Sequence, residues 1–202
     1  MELKNEDGKK LIAYARKNLI HYLKTDQPLP IPPEMRQKYN EKRGAFVTYK
    51  KRSQFDKSLR GCIGYVLPYL PLIETIQKVS ISAAVEDPRF PRVKQSEVEK
   101  LEIEISVLTV PEVIEVEDPK DYPKKIKIGK DGLIISKGGK QGLLLPQVPI
   151  EQDPVWDAKT FLRHTCQKAW LPANAWKDKK TTIKKFQAQI FNESDYNWNS
   201  SD

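Results

Sequence analysis

Prolines set the lengths of everything this chain can build. A proline fixes its own φ and pushes the preceding residue out of the helical region, so helices and inner strands must fit between prolines. Here the prolines gather in Pro28-Leu29-Pro30-Ile31-Pro32-Pro33, around Pro68 and Pro71, at Pro88 and Pro91, and at intervals beyond Val110. No stretch between them approaches the roughly 18 consecutive apolar residues of a membrane span. What remains is room for short strands and medium helices, an α+β pattern.

Residues 6–24 place Leu11, Ile12, Ala15, Leu19, Tyr22 and Leu23 at spacings of three and four, the stripe of an amphipathic helix, with Asn5 or Asp7 as its cap. The proline run that follows is an extended connector, and residues 34–40 suit a short helical turn. Gly44 to Tyr49 reads as a strand, Lys50 to Ser58 as a polar loop, and Leu59 to Val66 as a return strand interrupted by Gly61 and Gly64. A helix over Leu72–Val85 turns Ile73, Ile76, Ser80, Ala83 and Ala84 inward, small enough to lie close on a sheet. Leu101 to Val110 alternates strictly, with Ile103, Ile105 and Val107 on one face and Glu104 and Ser106 on the other.

Beyond it, 111–123 is an acidic loop or poor strand, and short strands are predicted at 125–128, 132–136 and 142–145. Asp131-Gly132 and Gly138-Gly139 supply tight turns. A helix from Trp156 to Ala169 faces Ala158, Phe161, Leu162, Thr165 and Ala169 inward, and Ile183 to Phe191 is a last strand. The polar tail, 193–202, is expected to fray.

The chain also echoes itself. Gly44-Ala45-Phe46-Val47-Thr48 matches Gly132-Leu133-Ile134-Ile135-Ser136 in pattern, and Gly61 to Val66 matches Gly142 to Val148. Each pair leads through prolines to a helix. Strand, glycine-led strand, helix is written twice.

The 202 residues suffice for one sizeable core or two small lobes, and the net charge is +8. Such a balance suits either a solvated Lys/Glu surface, as in heat-adapted proteins, or an anionic partner. Basic clusters at Lys124 to Lys127 and Lys177 to Lys185, with Trp170, Trp176 and Phe186 interleaved, form a candidate RNA-binding face. The competing reading is the wet side of a strand. The N-terminal Met1 to Asp7 is charged and lacks the apolar segment of a secretory signal. With only Cys62 and Cys166, no disulfide framework is expected, and the expected location is the cytoplasm.

Chemistry concentrates in Leu59-Arg60-Gly61-Cys62-Ile63-Gly64. Strand alternation puts Arg60 and Cys62 on one face, where the guanidinium favours the thiolate. Gly61 admits close approach of a backbone or ligand, and Gly64 leaves space beside the thiol. The alternative is a small packed cysteine, with Arg60 paired to an acid. In Asp87-Pro88-Arg89-Phe90-Pro91, Arg89 is a forked donor for a carboxylate or phosphate, or else the partner of Asp87 at a helix end. His21 and His164 are the only histidines. A metal site needs three or four ligands, and Cys62, His164 and Cys166 are not spaced to provide one, so neither metal nor cofactor is expected. No Gly-x-Ser-x-Gly elbow occurs. The loops Gly129 to Gly132 and Lys137 to Gly142 lack phosphate-loop spacing and read as hairpin turns.

Taken in order, these segments resemble the AMME-syndrome critical-region (AMMECR) protein family. The resemblance rests on Gly44 to Thr48, Leu59 to Gly64, Ala83-Ala84 with Asp87 to Phe90, Glu104 to Thr109 with Pro111-Glu112, Gly129 to Leu133, Gly142 to Val148, Phe161-Leu162, and Cys166 with Lys168-Ala169, Leu171-Pro172 and Trp176. It spans residues 8–192. Two positions depart from the family pattern. Gln152 stands where the family has histidine, and Trp170 stands where it tends to have glycine.

The resemblance implies an α+β fold of two strand–helix repeats around a curved, barrel-like mixed sheet. One domain, residues 1–192, would have a larger lobe from its N- and C-terminal segments and a smaller one from its middle. It carries no settled activity, and whether the chain is an enzyme stays open. It does imply a place beside Memo-like and radical-SAM proteins, as a partner or in a shared modification pathway. With the resemblance added, the motif reads as a ligand or catalytic pocket, with Cys62, Arg60 and Asp87 as catalytic candidates, Gly61, Gly64, Arg89 and Glu104 as ligand-binding candidates, and the arginines anchoring a small anionic group. The alternatives are a non-catalytic interaction module and RNA binding through the lysine faces. No membrane role is expected.

Overall fold

The computed structural model describes residues 3–52, 58–196 and 198. The centre of the polar loop between Lys50 and Ser58, and the tail at 197 and 199–202, lie outside the described residues. In chain order the helices and strands are α1 (Asn5–Thr25), α2 (Pro33–Lys38), β1 (Ala45–Lys51), β2 (Leu59–Tyr65), α3 (Leu72–Val85), β3 (Leu101–Leu108), β4 (Glu112–Val113), β5 (Gly132–Lys137), β6 (Lys140–Leu144), α4 (Ala158–Lys168), β7 (Thr182–Phe186) and β8 (Ala188–Asn192). The chain is therefore α+β. It divides into two compact units: the first runs to Leu108 and resumes at Gln189, and the second spans Thr109–Ala188.

The first unit holds a four-stranded sheet in the order β2-β1-β3-β8. β1 pairs antiparallel with both β2 and β3. Alternation buries Ala45, Val47 and Tyr49 of β1 and Ile103, Ile105 and Val107 of β3. They pack in one cluster with Leu11, Ile12, Ala15 and Leu19 of α1 and Ile73, Ile76, Val79 and Ala83 of α3. Each large aliphatic buried this way contributes about 1.5–3 kcal/mol. β2 lies so close to α3 that a Cβ on Gly61 would stand 2.0 Å from the Ala83 carbonyl oxygen.

The second unit has its own four-stranded sheet, β4-β7-β5-β6. β5 pairs antiparallel with β6 and β7, as β1 does with β2 and β3. Its core joins Leu133 and Ile135 of β5, Ile183 of β7, and Phe161, Leu162 and Cys166 of α4. A Cβ on Gly142 would lie 2.2 Å from the Ala169 amide nitrogen, at the end of α4. The internal echo in the sequence is thus a structural repeat. Each unit has a hairpin, a glycine in the second strand wedged against the following helix's C-terminal end, and a third strand on the hairpin's far side.

Several expectations are corrected. Residues 125–128 follow a 3-10 turn over Pro119–Lys125 and form no strand; there the Lys127 amide donates to the buried Asp131 carboxylate at 2.9 Å. Gly129, at φ +77°, is the turn glycine, while Gly132 begins β5. The predicted final strand is two strands in different sheets. It breaks at Gln187, whose carbonyl accepts from the Thr109 amide at 2.9 Å and whose amide donates to the Thr109 hydroxyl at 2.9 Å.

The start of the tail is held, not frayed. Glu193 is 3% exposed and accepts from Arg16 Nε (2.6 Å), Arg16 Nη2 (2.6 Å), Arg52 Nη2 (2.7 Å) and the Ile103 amide (3.1 Å). A buried carboxylate persists only with such a full set of donors. At the other end, Lys4 is the residue preceding α1, and Asp7 accepts from its amide at 2.9 Å.

Candidate functional site

The Leu59–Gly64 motif is β2, an edge strand. Its register against β1 shifts between Tyr49 and Lys50: Tyr49 faces Gly61, but Lys50 faces Leu59. Arg60 is the extra residue of that bulge, and a bulge breaks the in–out alternation. Arg60 and Cys62 therefore do not share a face as strict alternation predicted. The Arg60 guanidinium is buried and paired with Glu97, Nε to Oε1 at 3.2 Å and Nη2 to Oε2 at 3.3 Å. Its Nη1 is buried and meets no acceptor among the described residues.

Cys62 lies in a row across three strands. Thr48 is its partner on β1, and Glu104 is the partner of Thr48 on β3. The Thr48 hydroxyl donates to Cys62 Sγ at 3.2 Å. Glu104 accepts from Lys50 Nζ at 2.6 Å. Cys62 is partly buried, unlike Cys166, which is enclosed in the second core. Burial pushes the Cys166 thiol above its ordinary pKa.

The Asp87–Pro91 turn supplies what an edge strand lacks. Asp87 Oδ2 accepts from the Cys62 amide at 2.9 Å, and Arg89 Nη2 donates to the Cys62 carbonyl at 3.2 Å. Two side chains thus pair with the main chain of one residue as a neighbouring strand would. Arg89 also closes on Asp87, Nε to Oδ1 at 3.0 Å and Nη2 to Oδ2 at 2.8 Å. The Arg89 guanidinium, with the Cys62 and Arg89 amides, holds Asp87 far below the ordinary carboxylate range even though the side chain is only 2% exposed. Asp87 is therefore held in its charged form near neutral pH.

The two glycines serve packing. The group approaching Gly61 is the Ala83 carbonyl. The space expected beside Gly64 is filled by the Phe46 ring, 2.3 Å from where a Cβ would stand. Of the residues singled out from sequence, the fold joins Cys62, Asp87, Arg89 and, through Thr48, Glu104, and it directs Arg60 to Glu97. Thr48 and Glu97 were missed. The hairpin register that makes Thr48 the neighbour of Cys62 depends on the bulge, and nothing in the local pattern marks one.

His164 stacks on Trp156, with ring centroids 3.9 Å apart and planes 8° from parallel. Among the described residues no group of three His, Cys, Asp or Glu side chains is placed to hold a metal. No helix among them is long and apolar enough to cross a membrane. Gln152 donates through Nε2 to the Val148 carbonyl at 3.2 Å.

The AMMECR1 family model matches residues 12–191. The chain belongs to the AMMECR1 family. A protein of Methanothermobacter thermautotrophicus is 45% identical over 191 residues, covering 95% of this chain and 96% of the relative. One from Methanocaldococcus jannaschii is 47% identical over 189 residues, covering 93% and 90%. The crystal structure of an uncharacterised protein of Pyrococcus horikoshii superposes with a TM-score of 0.82 at 46% identity, covering 96% of this chain and 94% of that one. The Pyrococcus horikoshii protein shares the fold along nearly the whole chain.

Proposed function

We propose that the β2 edge of this AMMECR1 protein is a small-ligand site in which Cys62 is the working group. The thiolate is its nucleophile, or the group that grips an electrophilic ligand, and the Thr48 hydroxyl donates to the sulfur. Asp87 and Arg89 are positioning residues that fix the cysteine's main chain.

The observation that carries this reading is the contrast within one residue. The Cys62 main chain is held on both its N–H and its C=O, while the residue stays only partly buried and its sulfur accepts from the Thr48 hydroxyl. A structural cysteine needs no such bracing.

Labelling the folded protein with a small disulfide or haloacetamide reagent at neutral pH tests it, and Cys166 serves as the internal inert standard. Cys62 should react in the native state, and a Thr48→Val substitution should change its rate. A Cys62 that reacts only on unfolding, together with Cys166, would sink the reading.

A further inference from the structure

Helix α4 ends in a Schellman arrangement: the Leu171 amide donates to the Cys166 carbonyl at 3.0 Å and the Trp170 amide to the Gln167 carbonyl at 2.9 Å. That closure requires a left-handed residue between them, a place that normally falls to glycine. Here it is Trp170, at φ +57°. Its side chain is 85% exposed, so burial does not offset the strain of placing a Cβ there.

The next oddity adjoins it. The two-residue turn Gly138-Gly139 puts Lys137 and Lys140 directly opposite each other, a like-charge cross-strand pair. Lys140 Nζ donates to the Trp170 carbonyl at 3.1 Å. Lys137, Lys140 and Lys180 line a concavity of about 240 Å³ at this turn, and Lys168, the last residue of α4, is exposed. One carboxylate, Asp178, answers Lys137 at 2.7 Å.

Two local features that oppose folding therefore meet on one patch: the exposed left-handed Trp170, and a like-charge lysine pair in which Asp178 pairs with Lys137. Departures of this kind mark functional surfaces. We propose that this patch binds single-stranded nucleic acid, with Trp170 as a stacking platform for one base and Lys140, Lys137 and Lys180 contacting its phosphates. An exposed indole needs a planar, apolar face, and the lysines beside it need a polyanion. An unpaired strand offers both, whereas a duplex hides its base faces. This surface is independent of the Cys62 site.

Fluorescence anisotropy of a labelled oligouridine of about 20 nucleotides, at about 50 mM salt, tests the proposal on the full chain. Oligothymidine and a duplex of the same length serve as comparators. The single strands should bind, more tightly than the duplex and with quenching of tryptophan emission. Trp170→Gly should weaken binding about tenfold, the size of one lost base stack, while melting no lower than the parent, and Trp170→Phe should restore most of the affinity. Lys140→Glu should weaken binding more than Lys120→Glu, an exposed control 85% accessible elsewhere in the same unit. Absence of binding by the parent at this salt overturns the proposal. So does equal binding of duplex and single strand, or affinity in Trp170→Gly that matches the parent.

Discussion

The two units are the same device with different fittings. Each has a hairpin whose second strand carries a glycine against the C-terminal end of the next helix: Gly61 on Ala83 in the first unit, Gly142 on Ala169 in the second. One residue further along the strand the units part. The first has Cys62 opposite Thr48, and the second has Leu143 opposite Ile134. Beyond the helices, the first unit turns through the buried Asp87, and the second through the exposed Trp170. What recurs is what the architecture demands. What appears in only one unit calls for another explanation, and in the first unit that is the thiol with its braces.

The largest effects should come from the shared feature. Gly61→Ala and Gly142→Ala each force a methyl onto backbone atoms, which no rotamer change relieves. Each should lower unfolding free energy in denaturant by about 3 kcal/mol, the upper range for overpacking. Gly138→Ala, in open space but at φ +56°, should cost only about 1 kcal/mol. If Gly142→Ala proved as mild as Gly138→Ala, the two hairpins would not be equivalent.

Next in size is the brace that only the first unit has. Asp87→Asn keeps the shape but removes the charge that pairs with Arg89, and it should cost about 2 kcal/mol. Its pH signature has a definite sign. The folded carboxyl titrates below its ordinary value, so its stabilisation is complete above the unfolded pKa of about 4 and fades as pH falls from there toward the lowered folded value. Thermal midpoints of the parent should therefore drop across that acid window more steeply than those of Asp87→Asn. Parallel curves would mean that Asp87 is not the titrating brace.

Trp170→Gly should move stability the other way, raising it by about 1 kcal/mol as the left-handed position receives the residue that tolerates it. Measured by denaturant midpoint, no gain would show that the indole has a structural partner in the fold. The φ of +57° at Trp170 is the observation behind this expectation.

How much of this was legible in the sequence depends on how far apart the interacting residues lie. α3 was read to the residue because prolines stand before and after it and its small inward residues repeat at helical spacing. β3 was legible from alternation alone. The split between β7 and β8 was not, since Thr109 and Gln187, whose hydrogen bonds create it, are 78 positions apart. Glu193 looked like solvated tail for the same reason: its partners Arg16 and Arg52 sit 177 and 141 positions away. At the site, Cys62 and the Asp87–Arg89 turn stood out by composition. The facing of Arg60 did not, because a bulge of one residue reverses it and depends on how the preceding loop closes.

The smallest predicted effect bears most directly on why the units differ. Cys166 is fully buried among Phe161, Leu162 and Trp176, so Cys166→Ser places a hydroxyl in an apolar core and should cost about 2 kcal/mol. Cys62→Ser leaves the main-chain hydrogen bonds to Asp87 and Arg89 untouched and sets a hydroxyl beside that of Thr48 at a half-exposed position. It should change unfolding free energy by no more than about 0.5 kcal/mol. A thiol that can be removed at that cost is not there to hold the fold, which its counterpart Leu143 manages in the second unit without sulfur. Should Cys62→Ser instead destabilise as much as Cys166→Ser, the sulfur belongs to the packing of the first unit, and the difference between the hairpins is one of core composition.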